Sequence, residues 1–376
     1  MNIPLFKVLM SPNAGELVAN VLNSGYIGQG QKVEEFEKVL ATHFNNSKVL
    51  TVNSGTTALS LAVHALGLGG NDEILTTPLT CTATNWAILA NKVKLKWVDI
   101  DQNTANFDLV DLERKITPNT KAIMVVHWGG YPVDLDKLNC IVERAYDRFN
   151  GYKTGNKIAI IEDCAHGFGS FYKGKHVGTN GNWGAFSFQA IKHLTCGDGG
   201  ALIAPDHKQY LRLKLLRWYG IDRNENRKDF RCESNIYEFG FKGHMNDINA
   251  TIGLANYDLA LNGINKNILN AKFYRDKLQN VDGIELLHEE HGFDSSYWIF
   301  TIKCDRRDDF IRKMAEHGIV CSRVHERNDK HFCVSEFKAA LPSLDEFIQK
   351  MVCIPVGWWV NDEDRQYIVD KIKTGW

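Results

Sequence analysis

The run "AIMVV" (122–126) is apolar at every position, and so is "IAII" (158–161). A strand wetted on one face alternates apolar and polar residues, whereas one covered on both faces can be apolar throughout. Between residues 50 and 205, short runs with strand character alternate with longer helical ones, such as "TTALSLAVHAL" (56–66) and "LDKLNCIVERAYDRF" (135–149). The strand candidates are Glu73–Thr77, Leu95–Ile100, Ala122–His127, Ile158–Cys164, Phe186–Phe188 and Ala201–Ala204. This order predicts an α/β fold with an open, mostly parallel sheet wrapped by helices.

From residue 245 the texture changes. The stretch from Met245 to Gln279 reads as one or two long helices with an interruption near Gly263. A strand over 297–302, a helix over 307–318, a short strand near Val320 and a last helix over 362–372 follow. That pattern predicts a large unit over 1–255 and a smaller α+β unit over 256–376.

Several function classes fall away. The net charge of −1 gives no electrostatic footprint for nucleic acid. No apolar run approaches the length of a membrane span, and the first residues lack the pattern of a secretion signal. The nine cysteines are scattered without a CxxC pair, so neither a disulfide framework nor a zinc knuckle is expected. Reduced thiols in a chain of this kind point to the cytosol. No phosphate-binding GxxxxGK[ST] loop or dinucleotide fingerprint is present, and "HEEHG" (288–292) lacks the spacing of a zinc protease motif. No metal is expected.

Three features carry chemistry. Ser54-Gly55-Thr56-Thr57 opens a helix, where free N–H groups make an anion site and where serine and threonine also serve as ordinary caps. Glu162 and Asp163 end an apolar strand, the place where open α/β sheets put ligand groups; a structural carboxylate capping the next turn reads the same way. Lys192 follows Ser187 and precedes Gly197-Asp198-Gly199-Gly200. Among Phe186, Ile191 and Leu194 its charged form is disfavoured, giving a nucleophilic amine, although a lysine that snorkels to solvent fits the same spacing. Together, an anion cradle, a strand-end carboxylate and a lysine are the three anchors that pyridoxal 5′-phosphate (PLP) requires.

The segments "NSGTTAL", "IEDCAH", "SFQAIKHLTCGDGG" and "GFKGHMNDINATIGL" resemble the DegT/DnrJ/EryC1/StrS family of sugar aminotransferases. The resemblance implies the type I aspartate-aminotransferase fold and a homodimer with active sites at the subunit interface. It implies that Lys192 forms the Schiff base and shuttles the proton, that Asp163 pairs with the pyridine nitrogen, and that His166 lies near the ring. Gly55, Thr56, Thr57 and Ser187 match phosphate contacts. The implied reaction passes an amine from an amino acid, typically glutamate, to a nucleotide-linked keto-sugar.

Three stretches depart from the family pattern. In "PLTCTATNW" the position of the ring-stacking aromatic aligns with Thr80, and Trp86 comes about six residues late. "GFKGH" offers Lys242 in place of an asparagine that reaches the neighbouring subunit's phosphate. "SRVHERNDKHF" (322–332) supplies Arg323, His325 and Arg327 as candidate substrate contacts. Relatives that dehydrate keto-sugars carry histidine at the lysine position, so Lys192 favours amination. A PLP-dependent dehydratase, a cyclitol aminotransferase and a non-catalytic sensor are the rival readings.

Overall fold

The structure is a computed structural model and describes residues 2–149, 157–223, 229 and 235–376. Thirteen strands occur among them: β1 Val49–Val52, β2 Glu73–Thr76, β3 Lys94–Trp97, β4 Thr120–Val126, β5 Ala159–Asp163, β6 Phe171–Tyr172, β7 Lys175–His176, β8 Trp183–Ser187, β9 Gly200–Ile203, β10 Ile284–Leu286, β11 Phe293–Asp294, β12 Phe300–Cys304 and β13 Met351–Ile354. Seven form one sheet in the order β1-β9-β8-β5-β4-β2-β3. Neighbours from β3 through β8 run parallel, while β9 is antiparallel to both β8 and β1. The apolar β4 and β5 lie at its centre, with residues such as Ile123, Met124, Val125 and Ile161 fully buried, as strands covered on both faces require.

β2 to β5, β8 and β9 match the expected strands to within a few residues; β1 was not anticipated. The expected strand near Val320 is replaced by two isolated bridges, Ile3 with Ile319 and Ser322 with Cys353. The second sheet has the order β10-β12-β13, and its β13 was not anticipated either. A small ribbon, β11-β6-β7, joins segments from both halves of the chain.

Helix Asp247–Leu278 is unbroken for 32 residues, about 48 Å. It runs through Gly263, where an interruption was expected. Glycine costs only about 1 kcal/mol inside a helix, and Gly263 is buried against Trp358. Residues 255 and 256 fall within this helix, so the chain passes from one sheet towards the other without a linker. Its buried amides fasten the surroundings. Asn256 donates to the Thr195 carbonyl at 2.9 Å, and Asn270 donates to the carbonyls of Val356 and Val360. No helix among the described residues is long and apolar enough to cross a membrane. Eight described cysteines are free thiols, and Cys232 lies outside the described residues.

Candidate active site

Lys192 sits in the connection between the antiparallel strands β8 and β9. Its N–H closes a turn on the Gln189 carbonyl at 2.9 Å. The Phe188 N–H bonds Gly199, Cys196 returns to the Phe188 carbonyl, and Gly197 takes a left-handed φ of 78° that lets the loop reverse. From the long helix, Asn249 donates to the Cys196 carbonyl at 2.8 Å. The glycine-rich turn therefore fixes a short loop that presents one lysine. Burial lowers the Lys192 pKa to about 8, against the opposing pull of Asp163 and Cys81.

Asp163 ends β5 and is 4% exposed. Thr84 Oγ1 donates to Asp163 Oδ2 at 2.7 Å, and the Ala165 N–H donates to Oδ1 at 3.0 Å. Burial raises its pKa, while those two donors, Lys192 and His127 pull it down. One donor per oxygen leaves lone pairs for a protonated ring nitrogen.

The third anchor is the start of helix Gly55–Ala65. Ser54 Oγ accepts from the Thr57 N–H at 3.1 Å. The capping alternative therefore holds for Ser54, while the first-turn N–H groups of Gly55 and Thr56 point out of the helix end. A Cβ on Gly55 would stand 2.8 Å from Ser187 Cβ, and one on Gly200 would stand 2.7 Å from the Gly55 nitrogen. These glycines let the helix end and Ser187 meet. Thr57 Oγ1 donates to Asn53 at 2.6 Å, and Thr56 is exposed. Lys242 is also exposed; its carbonyl accepts from Asn53 of the same chain at 3.2 Å, placing it beside this end of the site.

Other expected residues distribute unevenly. Thr80 is 1% exposed, and its hydroxyl lies 2.7 Å from that of Thr84. The adjacent Cys81, partly exposed, is the residue that acts on Lys192. Trp86 packs edge-on to His331. His166 is 3% exposed and stacks on Trp298 with centroids 3.8 Å apart. Burial and Lys192 hold its pKa well below the usual imidazole value. His325 lies parallel to His166 at 5.9 Å, and its pKa is lowered to about 4 by burial and Lys192. Arg323 pairs with Glu326 in its own loop at 2.9 Å. Arg327 is buried and held by Asp329 and Asp345, so it serves the loop's structure.

Trp298, Thr84 and Cys81 were not anticipated. Trp298 reads in sequence as one apolar residue of a strand, and only the fold brings it under Lys192. The side chains of His127, Glu162 and Cys164 converge closely enough to hold a metal ion. Both imidazole nitrogens of His127 and both oxygens of Glu162 are already hydrogen-bonded within the protein.

The model of the DegT/DnrJ/EryC1/StrS aminotransferase family matches residues 10–373. The chain belongs to this family. It is 46% identical to AtS13 from Actinomadura melliaura over the whole of both chains, with a TM-score of 0.95. It is 41% identical to the sugar aminotransferase CalS13 from Micromonospora echinospora, again over both whole chains and with a TM-score of 0.95. A structure of the PLP-form of Spr1654 from Streptococcus pneumoniae is 25% identical over 100% of this chain and 98% of that one, with a TM-score of 0.90. The protein is thus a PLP-dependent sugar aminotransferase of fold type I. The residues present fit the cofactor: an amine of lowered pKa, a buried carboxylate with free lone pairs, and a helix end cleared of side chains by Gly55.

Proposed function

We propose that this enzyme transfers the amino group of L-glutamate to a nucleotide-linked keto-sugar, specifically a 4-keto-6-deoxyhexose. The observation that supports this reading is the meeting of Lys192, Asp163 and the Gly55 helix end in a chain so close to a sugar aminotransferase. Bound PLP supplies an electron sink and carries the amine from donor to acceptor.

Lys192 anchors the cofactor and moves the proton at the substrate carbon. With a pKa of about 8 its amine takes and returns a proton near neutrality. Asp163 holds positive charge at the ring nitrogen, and Thr84 with the Ala165 N–H fixes the carboxylate's direction. The N–H groups of Gly55 and Thr56, with Ser187, bind the phosphate at a helix terminus. Residues 1–255 carry these anchors, and residues 256–376 add Trp298 and His325. His325 and Arg323 contact the sugar nucleotide.

The active unit on this reading is a homodimer. Ile236, Tyr237, Phe239 and Phe241 expose large apolar side chains next to Lys242, with Tyr237 94% exposed. An apolar patch of this kind fits an interface. Lys242 then serves the phosphate of the neighbouring protomer.

An absorbance spectrum, taken before and after glutamate and then a panel of nucleotide-linked keto-sugars, tests the proposal. Glutamate is expected to bleach the visible band with release of 2-oxoglutarate, and one nucleotide sugar is expected to restore it while gaining an amine. Restoration by free keto-sugars alone would overturn the nucleotide assignment. Lys192→Ala is expected to lack both the band and turnover.

A further inference from the structure

Trp298 does more than fill space. Lys192 Nζ lies 3.7 Å from its ring centroid, and His166 stacks on the same indole at 3.8 Å and 20°. The indole N–H donates to the Ile191 carbonyl at 2.9 Å, one residue before the lysine. Side chain and backbone of the lysine loop are therefore both held by one residue.

The segment carrying Trp298 is itself fixed in a costly conformation. Tyr297 has a φ of 50°, in the left-handed region that aromatic residues avoid. Its carbonyl accepts from Asn267 at 3.0 Å and its hydroxyl donates to Glu289. Ser296, fully buried, lies 3.1 Å from His193 Nε2 and donates to the His166 carbonyl. Phe6 also stacks on Trp298 at 5.0 Å. Strain maintained by so many contacts, at a residue whose ring lies against Lys192, indicates a ring placed for that lysine.

We propose that Trp298 is a positioning residue whose indole face holds the Lys192 nitrogen in its cationic form and aims it at the cofactor. The proposal rests on Lys192 being the cofactor-linked amine. Burial alone drives Lys192 towards neutrality. The negative face of an aromatic ring opposes this by favouring a cation. The groups acting on or acted on by this lysine are Asp163, Cys81, His166, His193 and His325. Among them Asp163 and Cys81 also favour the ammonium.

The test compares Trp298→Leu, which keeps an apolar filler without a quadrupole, with Trp298→Phe, which keeps the quadrupole without the N–H. The first readout is the pH midpoint of the visible absorbance in the full-length, cofactor-loaded protein. It is expected to fall by roughly 0.5–1 pH unit in Trp298→Leu and to stay near wild type in Trp298→Phe. The second is acylation of Lys192 at pH 7 in the full chain freed of cofactor, read by peptide mass. The Leu variant is expected to react about three- to fivefold faster, because more of its amine is neutral. An unchanged or raised midpoint in Trp298→Leu, or no change in labelling, overturns the proposal. Failure of the Lys192 assignment is distinguishable, because wild type would then show no cofactor-dependent protection of the Lys192 peptide.

Discussion

Glu162 and Asp163 are consecutive, both carboxylates and both buried at the end of β5, yet their hydrogen-bond surroundings differ. Alternation along the strand sends their side chains to opposite faces of the sheet. Glu162 is fully buried and saturated: Gly178 N–H donates at 2.7 Å, Asn182 Nδ2 at 2.8 Å and His127 Nε2 at 3.0 Å. The Val133 N–H donates to His127 Nδ1, so the ring proton lies on Nε2 and faces Glu162. Asp163 has one donor on each oxygen and a lysine within electrostatic reach. Burial of a carboxylate therefore does not identify chemistry. Unfilled lone pairs beside an amine of lowered pKa do.

The contrast can be broken by exchanging charge for an amide at each position. Asp163→Asn is expected to cut kcat by about 10²- to 10³-fold, since a neutral amide no longer stabilises charge at the ring nitrogen. Its urea midpoint is expected to stay nearer wild type than that of Glu162→Gln, because the Thr84 hydroxyl can turn to accept from the new amide while donating to Thr80. Glu162→Gln is expected to do the reverse, losing on the order of 2 kcal/mol of stability as one donor to Glu162 loses its acceptor. Its kcat per folded molecule should hold. Steady-state kinetics and urea unfolding on both variants decide the matter; a Glu162→Gln protein with normal stability and lost turnover would erase the distinction.

A smaller effect sharpens the same comparison. Thr84→Val removes the hydroxyl that steers Asp163 Oδ2 while conserving volume. A loss of roughly tenfold in kcat is expected, about the worth of one hydrogen bond to a charged group. Cofactor spectra should remain normal, since Asp163 keeps its charge. A Thr84→Val enzyme with wild-type kcat would show that Ala165 alone aims the carboxylate.

The sheet was legible because continuous apolar strands alternating with helices have few other ways to fold. β1 escaped notice because four residues, "VLTV", carry little periodic signal. The long helix was underestimated at Gly263, since sequence registers the local cost of glycine and not the packing against Trp358. Within the proposed site, Lys192, Asp163 and Gly55 were candidates from the order of motifs on one half of the chain. Cys81 carried no signal, because an alignment that places Thr80 at the stacking position does not reveal which neighbouring side chain acts on the lysine. Trp298 gave no local signal. Its role depends on a segment that lies more than a hundred residues after the lysine.

A second pair of regions extends the lesson to histidines. His325 and His43 both have pKa values lowered to about 4, chiefly by burial. His325 faces Lys192, whereas His43 stacks on Phe168 at 4.6 Å and lies 4.5 Å from His176. An unfolded chain takes up protons at histidine near the ordinary value of 6.5, but native His43 does so only near 4. Between those values the unfolded state binds more protons, so stability is fully present above pH 6.5 and falls as pH drops towards 4. His43→Phe is expected to abolish about 2 kcal/mol of the stability lost between pH 7 and pH 5, with turnover at pH 7 unchanged. Urea midpoints at the two pH values, for wild type and variant, measure this. If both proteins lose the same stability on acidification, the buried imidazole of His43 is not what makes the fold acid-sensitive.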